Sequence, residues 1–251
     1  AVQADLKVRL YGTRAALEYL RTYPARLRSV VLDGVAAPSM KVAIDVWPTR
    51  DQALTAVLDA CAQNAACAAA HPDLSATLDR IREKLGPNGR DVAVTDPRTG
   101  KVETQRLTFD HVLAALEPLT YSPELSSLLP EVIGSMTAGD YGPLFAGAML
   151  VSGDLVQQVN NALHYSVTCS EDAPRVTPAD VANALAKVRS QSLAKQELAV
   201  CDIWPKGKAA TDATKAVVSD VPVLILSGGL DPVTPPANGA EVAKTLSASR
   251  H

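Results

Sequence analysis

The sequence predicts an α/β protein: a thin frame of few parallel strands carrying a large, mainly helical insertion. Three observations point there. Strand, turn, helix and strand follow one another between Lys7 and Leu32, the opening of a parallel βαβ arrangement. From Pro38 to about Thr214 strand signal is sparse and amphipathic helix dominates. A buried apolar run, Val223-Leu224-Ile225-Leu226, then returns and leads through Ser227-Gly228-Gly229 to Asp231 and Pro232-Val233-Thr234-Pro235-Pro236. Open α/β sheets place functional groups at the carboxyl ends of their strands, which makes Asp231 the first candidate. An ordinary strand closed by a solvated Asp-Pro turn has the same pattern.

The elements follow in order. Ala1 to Leu10 reads as a helix end and then a strand, Lys7-Val8-Arg9-Leu10, with Tyr11-Gly12-Thr13 as the turn. Ala15, Ala16, Tyr19, Leu20 and Tyr23 have helical spacing, and Pro24 ends that helix. Ser29-Val30-Val31-Leu32 is the second strand, closed by Asp33-Gly34. Within the insertion, Leu54, Val57, Leu58 and Cys61 form the stripe of a helix over 51–61. Leu74, Leu78 and Ile81 do so for 73–85, which Gly86-Pro87-Asn88-Gly89 breaks. Val92 to Val94 and Val102 to Leu107, around Asp96-Pro97-Arg98-Thr99-Gly100, read as a hairpin. Thr108 caps a helix to Leu116, Ser122-Pro123-Glu124 opens one to Met136, and Asp140-Tyr141-Gly142-Pro143 precedes a third. Thr177-Pro178-Ala179-Asp180 starts a helix expected to reach about Leu193, and Pro236 to Leu246 is the last. The expected boundaries are 1–36 for the first part of the frame, 37–215 for the insertion and 216–251 for the return to the frame.

Composition narrows the function classes. A chain of 251 residues, 47% hydrophobic and 20% charged, can bury a substantial core in one large domain or two. With 4% aromatic residues that core is aliphatic. The net charge of −3 offers no basic face, so neither nucleic acid nor a polybasic membrane contact is expected. No apolar run approaches the roughly 18 residues of a membrane span. The chain starts at Ala1 rather than Met, which reads as a processed, cut or engineered start, and it carries no signal peptide. Cys61, Cys67, Cys169 and Cys201 are an even set, which suits two disulfides in an exported protein or scattered thiols in a cytosolic one. No C-x-x-C pair suggests zinc.

Several stretches resemble a known family. Tyr11-Gly12-Thr13-Arg14-Ala15-Ala16-Leu17-Glu18-Tyr19-Leu20, Tyr23-Pro24 and Arg28-Ser29-Val30-Val31-Leu32-Asp33-Gly34-Val35 are similar to the region after the nucleophile in α/β-hydrolases of the tripeptidyl aminopeptidase and proline iminopeptidase type. The likeness continues through Cys61 with Cys67, Tyr121-Ser122-Pro123, Gly139-Asp140-Tyr141, Cys169-Ser170-Glu171-Asp172 and Cys201-Asp202-Ile203-Trp204-Pro205, and closes on Leu226 to Pro236. It implies a partial α/β-hydrolase core with the helical insertion as lid, and peptidase or esterase ancestry. It further implies Asp231 as the acid of a Ser-His-Asp triad, and Cys61–Cys67 and Cys169–Cys201 as lid disulfides of a secreted or periplasmic protein. No cofactor is implied, and the substrates implied are small peptides or esters.

The chain also departs from that pattern. The family's elbow reads Gly-x-Ser-Tyr-Gly-Thr-Arg, whereas here Arg9-Leu10-Tyr11-Gly12-Thr13-Arg14 follow directly. Either Leu10 occupies the serine position or about four residues are deleted before Thr13. Both alignments remove the nucleophile. The family's catalytic histidine follows the acid after a further strand, and the sequence ends at Ser249-Arg250-His251, before that strand is expected to run. His251 is therefore not the expected base, although a terminal histidine near Asp231 stays in view. A serine-triad mechanism within this chain is not expected.

In such a lid, Glu171 and Asp172 could receive a substrate's α-ammonium group; the other reading is an acidic pair facing water at a helix end. His71, His111, His164 and His251 lack H-x-H or H-x-x-x-H spacing, so no sequence-local metal site is indicated. A divalent metal held in space by a histidine with carboxylates such as Asp33 or Asp231 stays open. Gly228-Gly229 has no lysine or helix start of a phosphate loop. Three strands, around Val8, Val30 and Leu224, cannot make a sheet covered on both faces, so a homo-oligomer or a piece of a longer protein is expected.

Overall fold

The computed structural model describes residues 4–96, 99–158 and 160–251. Ala1 of the expected helix end, and Pro97 and Arg98 of the expected hairpin turn, lie outside the described residues. In chain order, β1 (Ala4–Leu10) runs directly into α1 (Tyr11–Thr22), and β2 (Leu27–Val35) follows. Then come α2 (Val42–Gln63), α3 (Ala65–Ala70), α4 (Leu74–Leu85) and the hairpin β3 (Arg90–Thr95) with β4 (Val102–Leu107). Next are α5 (Phe109–Leu116), α6 (Pro123–Ser126), α7 (Leu129–Thr137), α8 (Gly142–Gln158) and α9 (Asn161–Val167). The chain closes with α10 (Pro178–Leu185), α11 (Gln191–Ile203), β5 (Val223–Leu226), α12 (Pro236–Ala243) and β6 (Ser249–Arg250).

These elements form two compact units. The first comprises Ala1–Thr49, Tyr165–Ala186 and Glu197–His251 and holds a parallel sheet of order β1-β2-β5-β6. The α/β expectation holds, with one correction: the sheet has four strands rather than three, because Ser249–Arg250 pair in parallel with β5. The strand expected to lie beyond the sequence thus already begins at Ser249. Val30, Leu32, Val223 and Ile225 are buried on one face, against which α1 and α12 pack. Gly34 sits at φ 69°, and the register passes from Arg9 opposite Asp33 to Leu10 opposite Val35. The skipped residue is a bulge whose left-handed backbone suits glycine.

The second unit, Arg50–His164 with Lys187–Gln196, has its own core. Leu54, Leu58, Leu78, Ile81, Leu113, Leu116, Ile133 and Met136 are almost fully excluded from solvent in one cluster. The hairpin pairs antiparallel as expected, Arg90 opposite Leu107 through Thr95 opposite Val102. Among the described residues no single helix is long and apolar enough to cross a membrane.

Four boundaries differ from expectation for identifiable reasons. Tyr11-Gly12-Thr13 is not a turn but the first turn of α1, with Thr13 Oγ1 buried and accepting the Ala36 amide. The helix at 51–61 begins at Val42, because Val42, Ile44, Val46 and Trp47 also bury a face and Pro48 is accommodated inside it. The helix expected from Ser122 to Met136 is two, since Pro130, near the start of α7, has no N–H to continue the ladder. The helix expected to Leu193 stops at Leu185 and resumes at Gln191. There the Asp51 carboxylate accepts the Arg189 amide and pairs with its guanidinium, so that amide is lost to the helix.

Candidate functional site

The Asp231 loop is built by its own side chain. Asp231 Oδ1 accepts the amides of Val233 and Thr234, both at 2.8 Å, and Oδ2 accepts the Thr234 hydroxyl at 2.7 Å. Thr234 is buried, and the Pro232 carbonyl accepts the Thr49 hydroxyl at 2.9 Å. This is an Asx-type turn in which the carboxylate takes the place of backbone acceptors. His251 hydrogen-bonds Ser227 at 2.9 Å through Nε2. That meeting depends on Gly239, where a Cβ would lie 2.7 Å from His251 Nε2 and 2.8 Å from Ser227 Oγ. Asp33 stands at the carboxyl end of β2 and is held by Arg9 at 2.7 Å.

Asp231→Ala is expected to cost about 1–3 kcal/mol, because it strands the buried Thr234 hydroxyl and frees two amides. Asp231→Asn keeps one acceptor and should cost less. Urea midpoints of the two variants check this; equal midpoints for both and the wild type would show that the turn stands without its acid.

The second candidate lies where α9 passes into a π-helical turn, Thr168–Asp172, a geometry frequent at functional sites. Asp172 is fully buried, and its Oδ1 accepts Arg14 Nη1 at 2.9 Å and Arg175 Nη2 at 2.7 Å. Its Oδ2 has no hydrogen-bond partner among the described residues, nor has Arg14 Nε, and both are buried. Arg14 and Arg175 also reach the carbonyl of Met40, and Arg175 those of Ser39 and Glu171. Glu171 lies 3.6 Å from Arg14, with its side chain 40% exposed. The two acids are thus adjacent but unequal: Asp172 is fixed inside, and Glu171 faces outward.

Lys41 and Asp180 adjoin this cluster, 2.6 Å apart. The Lys41 ammonium, followed by the Thr177 hydroxyl and amide, holds the Asp180 carboxyl far below the usual carboxylate range. Asp45 behaves oppositely. Burial pushes its pKa up, and the negative charge of Asp172 adds to the rise against the Lys41 amide that bonds it. A raised carboxyl pKa means that the native state binds more protons than the unfolded one. Stability should therefore fall as pH rises from the unfolded carboxyl pKa through the native value. Asp45→Asn is expected to remove that part of the slope in a series of urea titrations between pH 3 and 7; an unchanged slope would contradict it.

Glu171 and Asp172 are legible in the sequence as site candidates; the partners Arg14 and Arg175 and the nearby Asp45 are not. Arg175 could have been found from its i+3 spacing to Asp172, and Arg14 closes the Tyr-Gly-Thr-Arg motif, which gives it no role, whereas nothing local marks Asp45. The histidines serve locally: His111 completes the Thr108 capping box, and His71 follows α3 with Glu131 3.7 Å away. Both expected disulfides are present, Cys61–Cys67 and Cys169–Cys201. Among the described residues no group of three or more His, Cys, Asp or Glu side chains could hold a metal ion.

Comparison with known proteins agrees with this geometry. Residues 186–251, which carry the Asp231 loop, match the family described as TAP-like protein. The chain is 24% identical over 261 residues to serine protease Hip1 of Mycobacterium tuberculosis and of Mycobacterium bovis, an alignment covering 95% of this chain and 49% of each relative. The chain therefore spans about half the length of the curated relatives it matches. With a parallel sheet and strand–helix connections, the chain is similar to the TAP-like α/β-hydrolases, its family-model match lying within residues 186–251.

Proposed function

We propose that the chain is a hydrolase of peptidase or esterase ancestry in which residues 1–251 supply substrate recognition and the acid loop, but no nucleophilic serine. The observation that carries recognition is Asp172, a buried carboxylate with one oxygen held by two arginines and the other unpartnered, beside the outward-facing Glu171. A substrate α-ammonium at the accessible Glu171 gains a charge-assisted hydrogen bond, while the buried Asp172 and its two arginines hold the turn that presents Glu171. Small peptides or amino-acid esters with a free amino terminus are the matching substrates. Asp231 is the residue descended from the triad acid. Its present bonds hold its own loop, and at the junction where the family places its serine, β1 gives way to α1 between Leu10 and Tyr11.

Hydrolysis by these residues alone then has to avoid an acyl-serine, through water activated at a bound divalent metal or by a lid acid. A second reading, a catalytically inactive module that binds peptides through the same carboxylates, is favoured by the lack of a three-residue ligand group among the described residues. Both readings place the protein in a secreted or periplasmic setting, which its two disulfides support.

One panel separates the readings: peptide, ester and phosphoester substrates with and without chelator, together with a serine-directed phosphonate. Turnover abolished by chelator supports the metal route. Binding of a free-amino peptide but not its N-acetyl form, without turnover, supports the binding module. Covalent labelling by the phosphonate would overturn the absence of a nucleophilic serine, and equal binding of both peptide forms would overturn the recognition site.

A further inference from the structure

The turn that carries Glu171 has a second stretch of the first unit fastened along it. Cys201 is bonded to Cys169, Trp204 Nε1 donates to Ser166 Oγ at 3.2 Å, and the Gly207 amide donates to Ser170 Oγ at 2.7 Å. Trp204 also meets the Tyr165 ring, with centroids 5.4 Å apart. Beyond Trp204 the backbone is irregular. Pro205 to Ala209 form neither helix nor strand, and the Gly207 N–H is their one hydrogen-bonded backbone group among the described residues. Lys206 and Lys208 flank Gly207; both are exposed, and neither has an acidic partner among the described residues. Glu171, the neighbour of Ser170, offers the opposite charge, with its side chain 40% exposed and Arg14 3.6 Å away. A carboxylate and two unpaired ammonium groups thus stand on the two stretches of chain that the Ser170–Gly207 bond joins.

We infer that Lys206 and Lys208 determine specificity for peptides whose amino terminus sits at Glu171, by selecting a carboxylate about three residues along the peptide. The inference rests on the recognition role proposed for Glu171. An extended peptide advances about 3.3 Å per residue, so about three residues carry it from a carboxylate beside Ser170 to an ammonium beside Gly207, once the flexible lysine stem is laid along it. The matching ligands are short acidic peptides. Their carboxylate is an Asp or Glu side chain, or the carboxyl terminus of a peptide that ends there; either makes a charge-assisted hydrogen bond with an ammonium. The fastenings at Cys201, Trp204 and Gly207 hold the backbone beneath both lysines before a ligand arrives, so chiefly side-chain freedom is lost on binding. A basic residue at the same place in the peptide is rejected by like charge.

The test titrates the 251-residue chain by calorimetry with free-amino tripeptides. Ala-Ala-Glu and Ala-Ala-Gln are used as carboxyl-terminal amides, and Ala-Ala-Ala both as the free acid and as the amide. At low salt each acidic peptide should bind about tenfold more tightly than its neutral counterpart, and added salt should erode the difference. In the double variant Lys206→Ala with Lys208→Ala the preference should fall below about twofold, with Ala-Ala-Gln amide bound as by the wild type and Tm within about 2 °C of it. A preference for one acid source alone supports the inference and identifies the source. Equal affinity of acidic and neutral peptides for the wild type, or a preference that survives in the double variant, would overturn the inference. Either leaves the Glu171 reading standing, since the N-acetyl comparison judges that separately. Failure of every peptide to bind would overturn both.

Discussion

Replacing Asp172 with alanine should destabilise the first unit by about 3–5 kcal/mol, the largest single effect expected in this chain. The carboxylate is excluded from water, and the side chains of its two partners are 13% and 24% exposed. Removing it leaves two guanidinium groups facing each other in a site that water reaches poorly. Both arginines also brace the carbonyls of residues 39–40, so the loop leaving β2 loosens with them. At about 2–4 °C per kcal/mol for a chain of this size, Tm should fall by roughly 10 °C. A neutral replacement sharpens the argument. Asp172→Leu combined with Arg14→Met and Arg175→Met should recover most of the loss, because it removes the uncompensated charges together with their desolvation cost. A single Asp172→Ala cost under about 1 kcal/mol would show that water enters the cluster freely.

How much of this was legible in the sequence depends on the distance over which each feature is encoded. The capping box at Thr177 and Asp180, the cap at Thr108 and the hairpin strands are local patterns and were read directly. The parallel frame was read from two apolar runs and one βα junction, while its fourth strand escaped because Ser249–Arg250 carries no apolar signal. The break before Gln191 was invisible because its cause, Asp51, lies 138 residues away. The candidate site divides the same way. Asp231 was found because Asp-Pro after a buried strand is a local signature, and its bonds stay within three residues. Glu171 and Asp172 were found through a family motif. What fixes Asp172 is Arg14, 158 residues apart in sequence, and only the fold brings them together.

That contrast bears on what the site can do. Asp231 spends both oxygens on its own turn. Asp172 keeps one oxygen unspent in a place where an unspent oxygen is costly. A buried acceptor without a partner is destabilising, and the proposed recognition role rests on the turn that holds it.

Breaking the Cys169–Cys201 bond is the second large effect expected. It links residues 32 apart in sequence, whereas Cys61–Cys67 links residues 6 apart. Loop-closure entropy puts the first near 3–4 kcal/mol and the second near 2 kcal/mol. The two bonds lie in different units, and both tryptophans, Trp47 and Trp204, lie in the first. Tryptophan fluorescence should therefore follow the loss of Cys169–Cys201, with a fall of roughly 10 °C in the double alanine variant. It should be nearly silent to the loss of Cys61–Cys67, which circular dichroism of the helical second unit would register instead. Cys169 lies in the turn that carries Glu171 and Asp172, and the Ser170 hydroxyl in that turn also receives the Gly207 amide at 2.7 Å. Freeing the bond should thus weaken binding of a free-amino peptide as well as lower Tm, while Cys61→Ala with Cys67→Ala should leave that binding unchanged. If peptide affinity responds to neither pair, the turn keeps its shape without the disulfide, and the arginine brace alone positions the acids.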